Sequence, residues 1–219
     1  MSIWIMGDTH YSTGDEKKLL NLDGNVNDYV IICGDSGFLW DGDKRDKKVL
    51  DTVSGLGFNV LVCPGNHENY DVIEQYPVVD YCKGKAIKIR DNIHFMVYGE
   101  IYEIEGKRFW NCGGATSMDK CYRIPHLSWW PQEVPSNYVV DMAVASFENN
   151  VPDYAITHAA PMDVTAQIVP FKYGNMCNSF QYLMDKYPKV EWHCGHLHVD
   201  TKVRNCYVHY EEVFKVEEF

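Results

Sequence analysis

Short apolar runs that end abruptly are the feature of this chain that most constrains its fold. They are rich in Val, Ile, Tyr and Trp, and glycine, proline or a polar cluster stops each one, which is typical of buried strands. The clearest runs are residues 2–6, 29–33, 59–63, 154–157 and 190–194. Helix-like patterns lie between several of them, at residues 44–56, 136–149 and 178–187. This alternation predicts an α/β fold with a parallel or mixed sheet.

Two regions read as antiparallel strands rather than as strand–helix units. Between residues 86 and 112 the predicted strands follow one another closely, at 86–89, 94–98, 101–104 and 108–111. This spacing predicts an antiparallel meander that forms one sheet of a two-sheet sandwich. Near the end of the chain, residues 201–204 and 206–210 are separated by little more than Asn205 and resemble a further hairpin.

Size and charge limit the organisation and the partners. With 219 residues, 46% of them hydrophobic, we expect one domain spanning residues 1–219. The formal net charge of −11 repels polyanions, so extended nucleic-acid binding is not expected. An acidic protein that handles phosphate needs a local source of positive charge, which bound divalent metals supply.

The cysteines and the apolar runs indicate a cellular location. Eight cysteines occur without a CxxC pair, and no secretory signal precedes them, so we expect reduced thiols and a cytoplasmic protein. No apolar stretch approaches the ~20 residues that span a bilayer, so no membrane partner is expected.

Five apolar runs are each followed within a few residues by a side chain that can bind a metal. The loops read GDTH at 7–10, GDS at 34–36, GNHE at 65–68, TH at 157–158 and GHLH at 195–198. Because α/β sheets gather function at the carboxyl ends of their strands, these loops can converge on one crevice. Glycine precedes four of the motifs and allows close approach of the backbone.

The side chains of these loops are carboxylates, imidazoles and one amide, without a thiolate. They are Asp8, His10, Asp35, Asn66, His67, His158, His196 and His198. Such donors suit Mn²⁺, Fe or Zn²⁺ better than a structural zinc site or calcium. They are too many for one tetrahedral ion and predict a site for two.

The order Asp-x-His, Gly-Asp, Gly-Asn-His-Glu, a lone His and Gly-His-x-His resembles the calcineurin-like metallophosphoesterase superfamily. These motifs run from Gly7 to His198 and so cover nearly the whole chain. The resemblance implies a two-sheet mixed sandwich flanked by helices in four αββα layers. It also implies a metal-dependent hydrolase of phosphate esters, with a dinuclear centre at the strand ends.

The resemblance further implies roles for the loop residues. It makes Asp8, His10 and His198 ligands of one ion, makes Asn66, His158 and His196 ligands of the other, and makes Asp35 the bridge. A hydroxide held between the ions is the implied nucleophile, and His67 is the implied proton donor to the leaving group. Glu68 either orients His67 or is a favourable carboxylate in the first turn of a helix.

The segment 113–136 has little periodicity and is interpreted as a substrate-side insert. Arg123, His126 and Trp129 are its candidate substrate contacts, Arg123 as a guanidinium that fits phosphate oxygens. The alternatives are a surface arginine and tryptophans that seal the edge of a sheet. Arg45 is interpreted as part of a solvated helix start, the alternative being a place near the site because it follows Asp35 closely. Residues 163–177 are interpreted as a loop that forms a lid or a dimer contact.

The chain departs from the protein serine/threonine phosphatases of that superfamily. The second motif reads GDSGFLWDG without Asp-Arg-Gly, and no arginine shortly precedes Gly65, so the usual arginine clamp is missing. This favours a phosphodiester or a small phosphate ester such as a nucleotide. The alternatives are a protein phosphatase whose arginines are Arg45 or Arg123, and a non-catalytic metal-binding scaffold, which would predict damaged ligands.

Overall fold

Two mixed β-sheets form the centre of the protein. The structure is a computed structural model that describes residues 1–11, 13–169 and 175–217. The first sheet has seven strands in the order β13-β1-β2-β3-β6-β5-β4. Its strands are β1 (Ile3–Met6), β2 (Tyr29–Ile32), β3 (Asn59–Val62), β4 (Val78–Tyr81), β5 (Gly84–Arg90), β6 (Ile93–Met96) and β13 (Phe214–Lys215). The second sheet has six strands: β7 (Ile101–Ile104), β8 (Lys107–Cys112), β9 (Tyr154–Thr157), β10 (Glu191–Cys194), β11 (Thr201–Val203) and β12 (Cys206–Val208).

The two sheets share one plan, with a parallel centre and antiparallel edges. In the first sheet β1, β2, β3 and β6 run parallel, and β13 and the pair β5 and β4 flank them in antiparallel orientation. The second sheet has the order β11-β12-β10-β9-β8-β7, with β12, β10, β9 and β8 parallel. The strands β11 and β7 pair antiparallel at its edges. In each sheet the carboxyl ends of the parallel strands therefore lie side by side.

Six helices of the described residues accompany the sheets. They are α1 (Lys17–Leu20), α2 (Lys44–Gly55), α3 (Tyr70–Ile73), α4 (Asn137–Asn149), α5 (Met162–Ile168) and α6 (Asn175–Lys186). Two of the longer helices, α2 and α4, begin where the sequence supplies a cap. The Asp43 side chain accepts the N–H of Arg45 at α2, and the Ser136 side chain accepts that of Val139 at α4. None of these helices is long and apolar enough to cross a membrane.

The strands β1 and β2 are apolar at every position because both of their faces are buried. Along β1, Ile3 and Ile5 point into the core between the sheets, while Met6 belongs to the core on the outer face. The helix α2 covers that outer face with residues such as Val53. On the other sheet, α4 and α6 pack over the outer face with residues such as Phe147 and Phe180. The predicted sandwich flanked by helices is confirmed.

The prediction that residues 86–112 form one sheet is wrong. The strands β5 and β6 belong to the seven-stranded sheet, whereas β7 and β8 belong to the six-stranded sheet. The chain changes sheets at residues 97–100, where the Gly99 N–H donates to the carbonyl of Asn111 in β8 at 2.7 Å. Gly99 has φ 78° and packs against Ala143 of α4, which leaves little room for a side chain. In sequence, a turn between two strands of one sheet has the same appearance as a passage of the chain from one sheet to the other.

Other elements also differ from their prediction. Residues 162–168 form α5 instead of part of a loop, because Val164 and Thr165 are buried and hold the segment against α6. The predicted lid residues Phe171, Lys172 and Tyr173 lie outside the described residues. The two edge strands β4 and β13 have no counterpart in the sequence interpretation. That residues 1–219 form one domain stays a prediction.

Candidate metal and phosphate site

The polar residues predicted from the five loops lie together where carboxyl strand ends of the two sheets meet. Three of the loops follow strands of the seven-stranded sheet, and two follow strands of the six-stranded sheet. Asp8 and His10 follow β1, Asp35 follows β2, Asn66 and His67 follow β3, His158 follows β9, and His196 and His198 follow β10. Parallel pairing in both sheets thus brings together residues from across the chain.

Asp8, His10 and His198 form the first group of candidate metal ligands. One ligand atom of each residue lies within 4.8 Å of the others. Asp8 Oδ2 is 3.0 Å from His198 Nε2 and 3.6 Å from His10 Nε2. The two imidazole nitrogens are 3.2 Å apart. A carboxylate oxygen and two imidazole nitrogens around one point are donors that Zn²⁺, Mn²⁺ or Fe accepts.

A second group of candidate ligands consists of Asp8, Asp35 and His158. Asp35 belongs to this group and also lies close to His10 of the first group. Its Oδ2 is 3.7 Å from His10 Nε2, and its Oδ1 is 3.3 Å from His158 Nε2. The two oxygens of one carboxylate therefore face different donors. Such a placement is compatible with a carboxylate shared by two cations about 3.5–4 Å apart.

Asn66 is held so that its amide oxygen faces the site. Asn66 Oδ1 is 2.9 Å from His158 Nε2, and Asn66 Nδ2 donates to Ser117 Oγ at 3.0 Å. The Ser117 hydroxyl donates to Glu133 Oε2 at 2.7 Å, and the Ser117 N–H donates to Glu133 Oε1 at 2.9 Å. Since Glu133 is fully buried, this chain of hydrogen bonds fixes which end of the Asn66 amide points at His158.

His196 lies beside His158, with 4.9 Å between the ring centroids. Its backbone N–H donates to Asp8 Oδ1 at 3.0 Å. Of the described residues, the two close groups of ligand atoms include the other three predicted histidine ligands but not His196. The His196 backbone thus positions Asp8, and its ring as a metal ligand stays a prediction.

Charge pairing and hydrogen bonds outweigh burial in the electrostatics of the site. Asp8, Asp35 and His158 are at most 1% exposed. Burial raises the pKa of both carboxyl groups, but His158 and local hydrogen bonds more than offset this and hold both pKa values below the usual range. Burial lowers the pKa of His158, yet Asp35 and Asp8 raise it to about 9. Two buried carboxylates are stable only beside a cation.

One oxygen of this cluster has no conventional partner. No described residue donates a hydrogen bond of acceptable geometry to the buried Asp8 Oδ2, although His198 Nε2 is 3.0 Å away. Buried carboxylate oxygens are otherwise nearly always satisfied. An orphaned oxygen facing two imidazole nitrogens fits a metal ligand.

Four of the site residues have left-handed backbone conformations although none of them is glycine. The φ angles are 32° at His10, 50° at Asp35, 67° at His196 and 50° at His198. Such conformations cost roughly 1–3 kcal/mol each and persist where the surrounding structure enforces them. The carbonyl of Asp35 accepts the N–H of His10 at 2.9 Å, so neighbouring loops hold one another in place.

Two of the motif glycines are required by close approach to a carboxylate. A Cβ at Gly195 would overlap Asp8 Oδ1, and a Cβ at Gly65 would overlap Asp35 Oδ1. Any side chain at these positions would displace the carboxylates. The glycines of GNHE and GHLH therefore allow the backbone to pack directly on the candidate ligands.

His67 is near the carboxylates and contacts the insert. Its N–H donates to Asp35 Oδ1 at 2.7 Å, and its ring centroid is 5.2 Å from that of His10. Arg123 Nη2 lies 2.6 Å from His67 Nε2 and 3.1 Å from His67 Nδ1. Burial lowers the pKa of His67; Asp35 opposes this shift and Arg123 adds to it.

The other predicted insert contacts point elsewhere. His126 Nδ1 lies 2.8 Å from Asp71 Oδ2 of α3, and the His126 side chain is 58% exposed. The Trp129 ring lies under the ammonium group of Lys120, 4.1 Å from the ring centroid. The structure therefore brings Arg123, but neither His126 nor Trp129, into contact with a predicted loop residue through the contacts described here.

Two other sequence interpretations change with the structure. Arg45 is not simply solvated, because its guanidinium donates to the carbonyls of Tyr11 at 2.7 Å and Gly37 at 2.8 Å and so braces the loops after β1 and β2. Glu68 neither contacts His67 nor lies in a helix. It is fully buried and accepts the N–H of Ser36 at 2.8 Å, and burial and Asp35 raise its pKa to about 8.

Sequence reasoning missed residues that support the site from outside the motifs. Lys18 of α1 donates to the carbonyls of Asp8 and Tyr210. The Tyr210 ring stacks on His198, with centroids 4.6 Å apart and planes 6° apart. Ser117 and Glu133 support Asn66 in the same way. None of these residues stands in a motif, so the sequence carried no signal for them.

The sequence matches the calcineurin-like phosphoesterase family model over residues 1–200. No curated protein matches significantly. A crystal structure of the phosphopantetheinyl hydrolase PptH from Mycobacterium tuberculosis is similar, with 15% identity, a TM-score of 0.49, and coverage of 96% of this chain and 90% of that one. A candidate 5′-nucleotidase from Staphylococcus aureus, in complex with alpha-ketoglutarate, has 12% identity and a TM-score of 0.50. The match covers 94% of this chain but 47% of that one, and it shows the fold alone.

Proposed function

This chain belongs to the calcineurin-like phosphoesterase family, and we propose that it hydrolyses phosphate esters of modest size with two divalent metal ions. Nucleotides are among the candidate substrates. The observation that carries the proposal is the convergence of two buried carboxylates and three imidazoles from four separate loops. Buried anions with histidine nitrogens facing them are the arrangement that binds divalent metals.

The first group of donors, Asp8, His10 and His198, would hold one ion. His158 of the second group would hold the other ion together with Asn66 and His196, and Asp35 would be shared. The orphaned oxygen of Asp8 and the two-sided placement of Asp35 support this assignment. Mn, Fe and Zn all fit a set of nitrogen and oxygen donors without thiolate.

The proposed chemistry divides between the ions and the chain. When bound, the ions would offset the charge of the phosphate and lower the pKa of the attacking water. His67, protonated when the anionic phosphate lies beside it, would donate the proton that the leaving alkoxide needs. Its backbone is fixed at the shared carboxylate by the hydrogen bond to Asp35, so its ring is held beside the ligands. A positioned general acid of this kind is worth about 10²- to 10⁴-fold in rate.

Two observations bear on the alternatives and on location. A non-catalytic scaffold is disfavoured because the sequence contains all the expected donors, and Asp8, His10, Asp35, His158 and His198 lie close together. The free state of all eight cysteines supports a reducing compartment, and we propose the cytoplasm.

Metal analysis combined with paired substrates tests the proposal. Protein purified without chelator and then supplied with Mn²⁺, Fe²⁺ or Zn²⁺ should bind about two ions per chain. It should then hydrolyse nitrophenyl phosphate, bis-nitrophenyl phosphate, or both. A folded protein that takes up no more than one ion at saturating supply, or that binds two and cleaves neither ester, would contradict the proposal.

A further inference from the structure

The insert 113–136 brings a guanidinium to the strand-end site. Arg123 follows the short 3₁₀ helix Lys120–Tyr122, and its side chain is only 8% exposed. Its Nε donates to Asp119 Oδ2 at 2.8 Å, and its Nη2 lies 2.6 Å from His67 Nε2. The contact joins residues 56 positions apart in the chain.

A structural ion pair alone does not account for this placement. Asp119 is 53% exposed, and an exposed pair of this type contributes little to stability. An arginine that served only this partner would remain in solvent with it. Instead the guanidinium is buried against an imidazole. Its Nε donates to Asp119 and its Nη1 to the carbonyl of Ser128 at 3.4 Å, and a neutral imidazole accepts at most one of its three remaining N–H groups. Donors of Arg123 are therefore left over at the site.

We propose that Arg123 binds the non-bridging oxygens of the substrate phosphate and makes the site selective for phosphate monoesters. This inference rests on the proposed function and names its substrate class. A guanidinium presents two parallel N–H groups that match two phosphate oxygens. Arg123 and His67 together would then face the side of the phosphate opposite the metal ligands.

The number of free oxygens distinguishes the two ester classes. A monoester carries three non-bridging oxygens and about two negative charges, whereas a diester carries two such oxygens and one charge. With two non-bridging oxygens facing the proposed metal ions, only a monoester has a third anionic oxygen, and the fork of Arg123 would span that oxygen and one of the other two. In a diester that position carries a second organic group, which a buried guanidinium would neither bind nor accommodate. The absence of a motif arginine favoured a phosphodiester or a small phosphate ester, and Arg123 narrows this expectation to monoesters.

The test compares Arg123→Ala, Arg123→Lys and wild-type protein on nitrophenyl phosphate and bis-nitrophenyl phosphate. Wild type should prefer the monoester. Arg123→Ala should lower kcat/KM for the monoester by about 10- to 100-fold, the value of a charged hydrogen bond, and change the diester value much less. The kcat/KM of Arg123→Lys for the monoester should lie between those of wild type and Arg123→Ala. Lysine keeps the positive charge but lacks the two parallel N–H groups of a guanidinium. Competitive inhibition by inorganic phosphate should weaken in the same order.

Matched measurements separate failure of this inference from failure of the proposed function. Arg204→Ala is the control, since Arg204 also pairs with an aspartate, Asp185, at 2.7 Å but lies on the β11–β12 hairpin. Metal content should be unchanged in all variants. Equal losses for both esters, a wild-type preference for the diester, unaltered phosphate inhibition, or loss of metal in Arg123→Lys would each overturn the inference. Wild type that cleaves neither ester would instead overturn the proposed function.

Discussion

The strand-end loops and the insert 113–136 build the same site by different routes. In the loops, each candidate ligand stands within a few residues of a strand end, and pairing of parallel strands brings the ligands together. In the insert, Arg123 and Ser117 reach His67 and Asn66 across 56 and 51 residues. The loops supply metal donors that can be identified from sequence motifs. The insert supplies side chains whose contacts with His67 and Asn66 can be identified only from the three-dimensional structure.

Topology explains why the insert reaches the site at all. The insert follows β8, which pairs parallel with β9. The carboxyl end of β8 therefore lies at the same edge as the loops after β9 and β10. The segment occupies the place of a strand-end loop although it carries no metal-binding motif. Substitutions of the loop ligands should therefore abolish metal binding. Substitutions in the insert should weaken metal affinity or change the preference between substrates.

The largest effect is expected for Asp35→Asn. A neutral amide cannot offset the charge of two cations, so metal content should fall and turnover should drop by at least about 10⁴-fold. Elemental analysis and steady-state rates measure the two losses. Asp153→Asn is the control, because Asp153 precedes β9 at the opposite end of the strand and accepts the Arg108 N–H at 2.8 Å. Full metal content with normal turnover in Asp35→Asn would refute the shared-carboxylate assignment.

A smaller loss is expected for His67→Ala, which removes the proposed proton donor but no proposed ligand. Metal content should stay at the wild-type value while kcat drops roughly 10²- to 10⁴-fold. An ester with a better leaving group should suffer less, because its alkoxide needs less help from a proton. Empty metal sites in His67→Ala would show that this residue belongs with the ligands.

Much of the fold and of the donor set could be predicted because both follow from local patterns. Strands such as β2 are buried on both faces and appear as uninterrupted apolar runs, and Asp35 directly follows such a run. The split of residues 86–112 between two sheets could not be predicted, since a turn at Gly99 does not state which sheet comes next. The four-layer architecture was predicted from the resemblance to the superfamily, which rests on the order of the motifs. The spacing of the strands alone did not predict it.

The supporting residues could not be predicted for a different physical reason. Glu133 is buried under Ser117 and Asn66, yet in sequence it is one acidic residue after Trp-Trp-Pro-Gln. Lys18 looks like a solvated lysine of a short helix, although its ammonium group is enclosed by the carbonyls of Asp8 and Tyr210. Such roles depend on three-dimensional neighbours, which no periodicity or spacing encodes.

An effect of intermediate size is expected when the hydrogen bond between Asn66 and Ser117 of the insert is removed. Ser117→Ala removes the hydroxyl that accepts the Asn66 N–H, so the amide can rotate and present nitrogen to the metal. Affinity for one of two ions should weaken about 10- to 100-fold, as for other partners that orient a ligand. Metal titration should show one altered site and one unaltered site. Ser128→Ala, also in the insert, should leave both sites unchanged; equal weakening in both variants would mean that the insert matters only as a whole.

The smallest effect is expected for Trp129→Ala, which decides whether the insert contacts substrate beyond Arg123. Its ring is covered by Lys120, a contact worth about 0.5–1 kcal/mol, and no described contact joins it to His67 or Arg123. We therefore expect a lower melting temperature and a change of less than about 3-fold in the ratio of monoester to diester hydrolysis. If Trp129 instead binds the organic part of the substrate, that ratio should move at least about 10-fold across a panel of esters. A shift of that size would extend the substrate surface from the guanidinium to the tryptophan face of the insert.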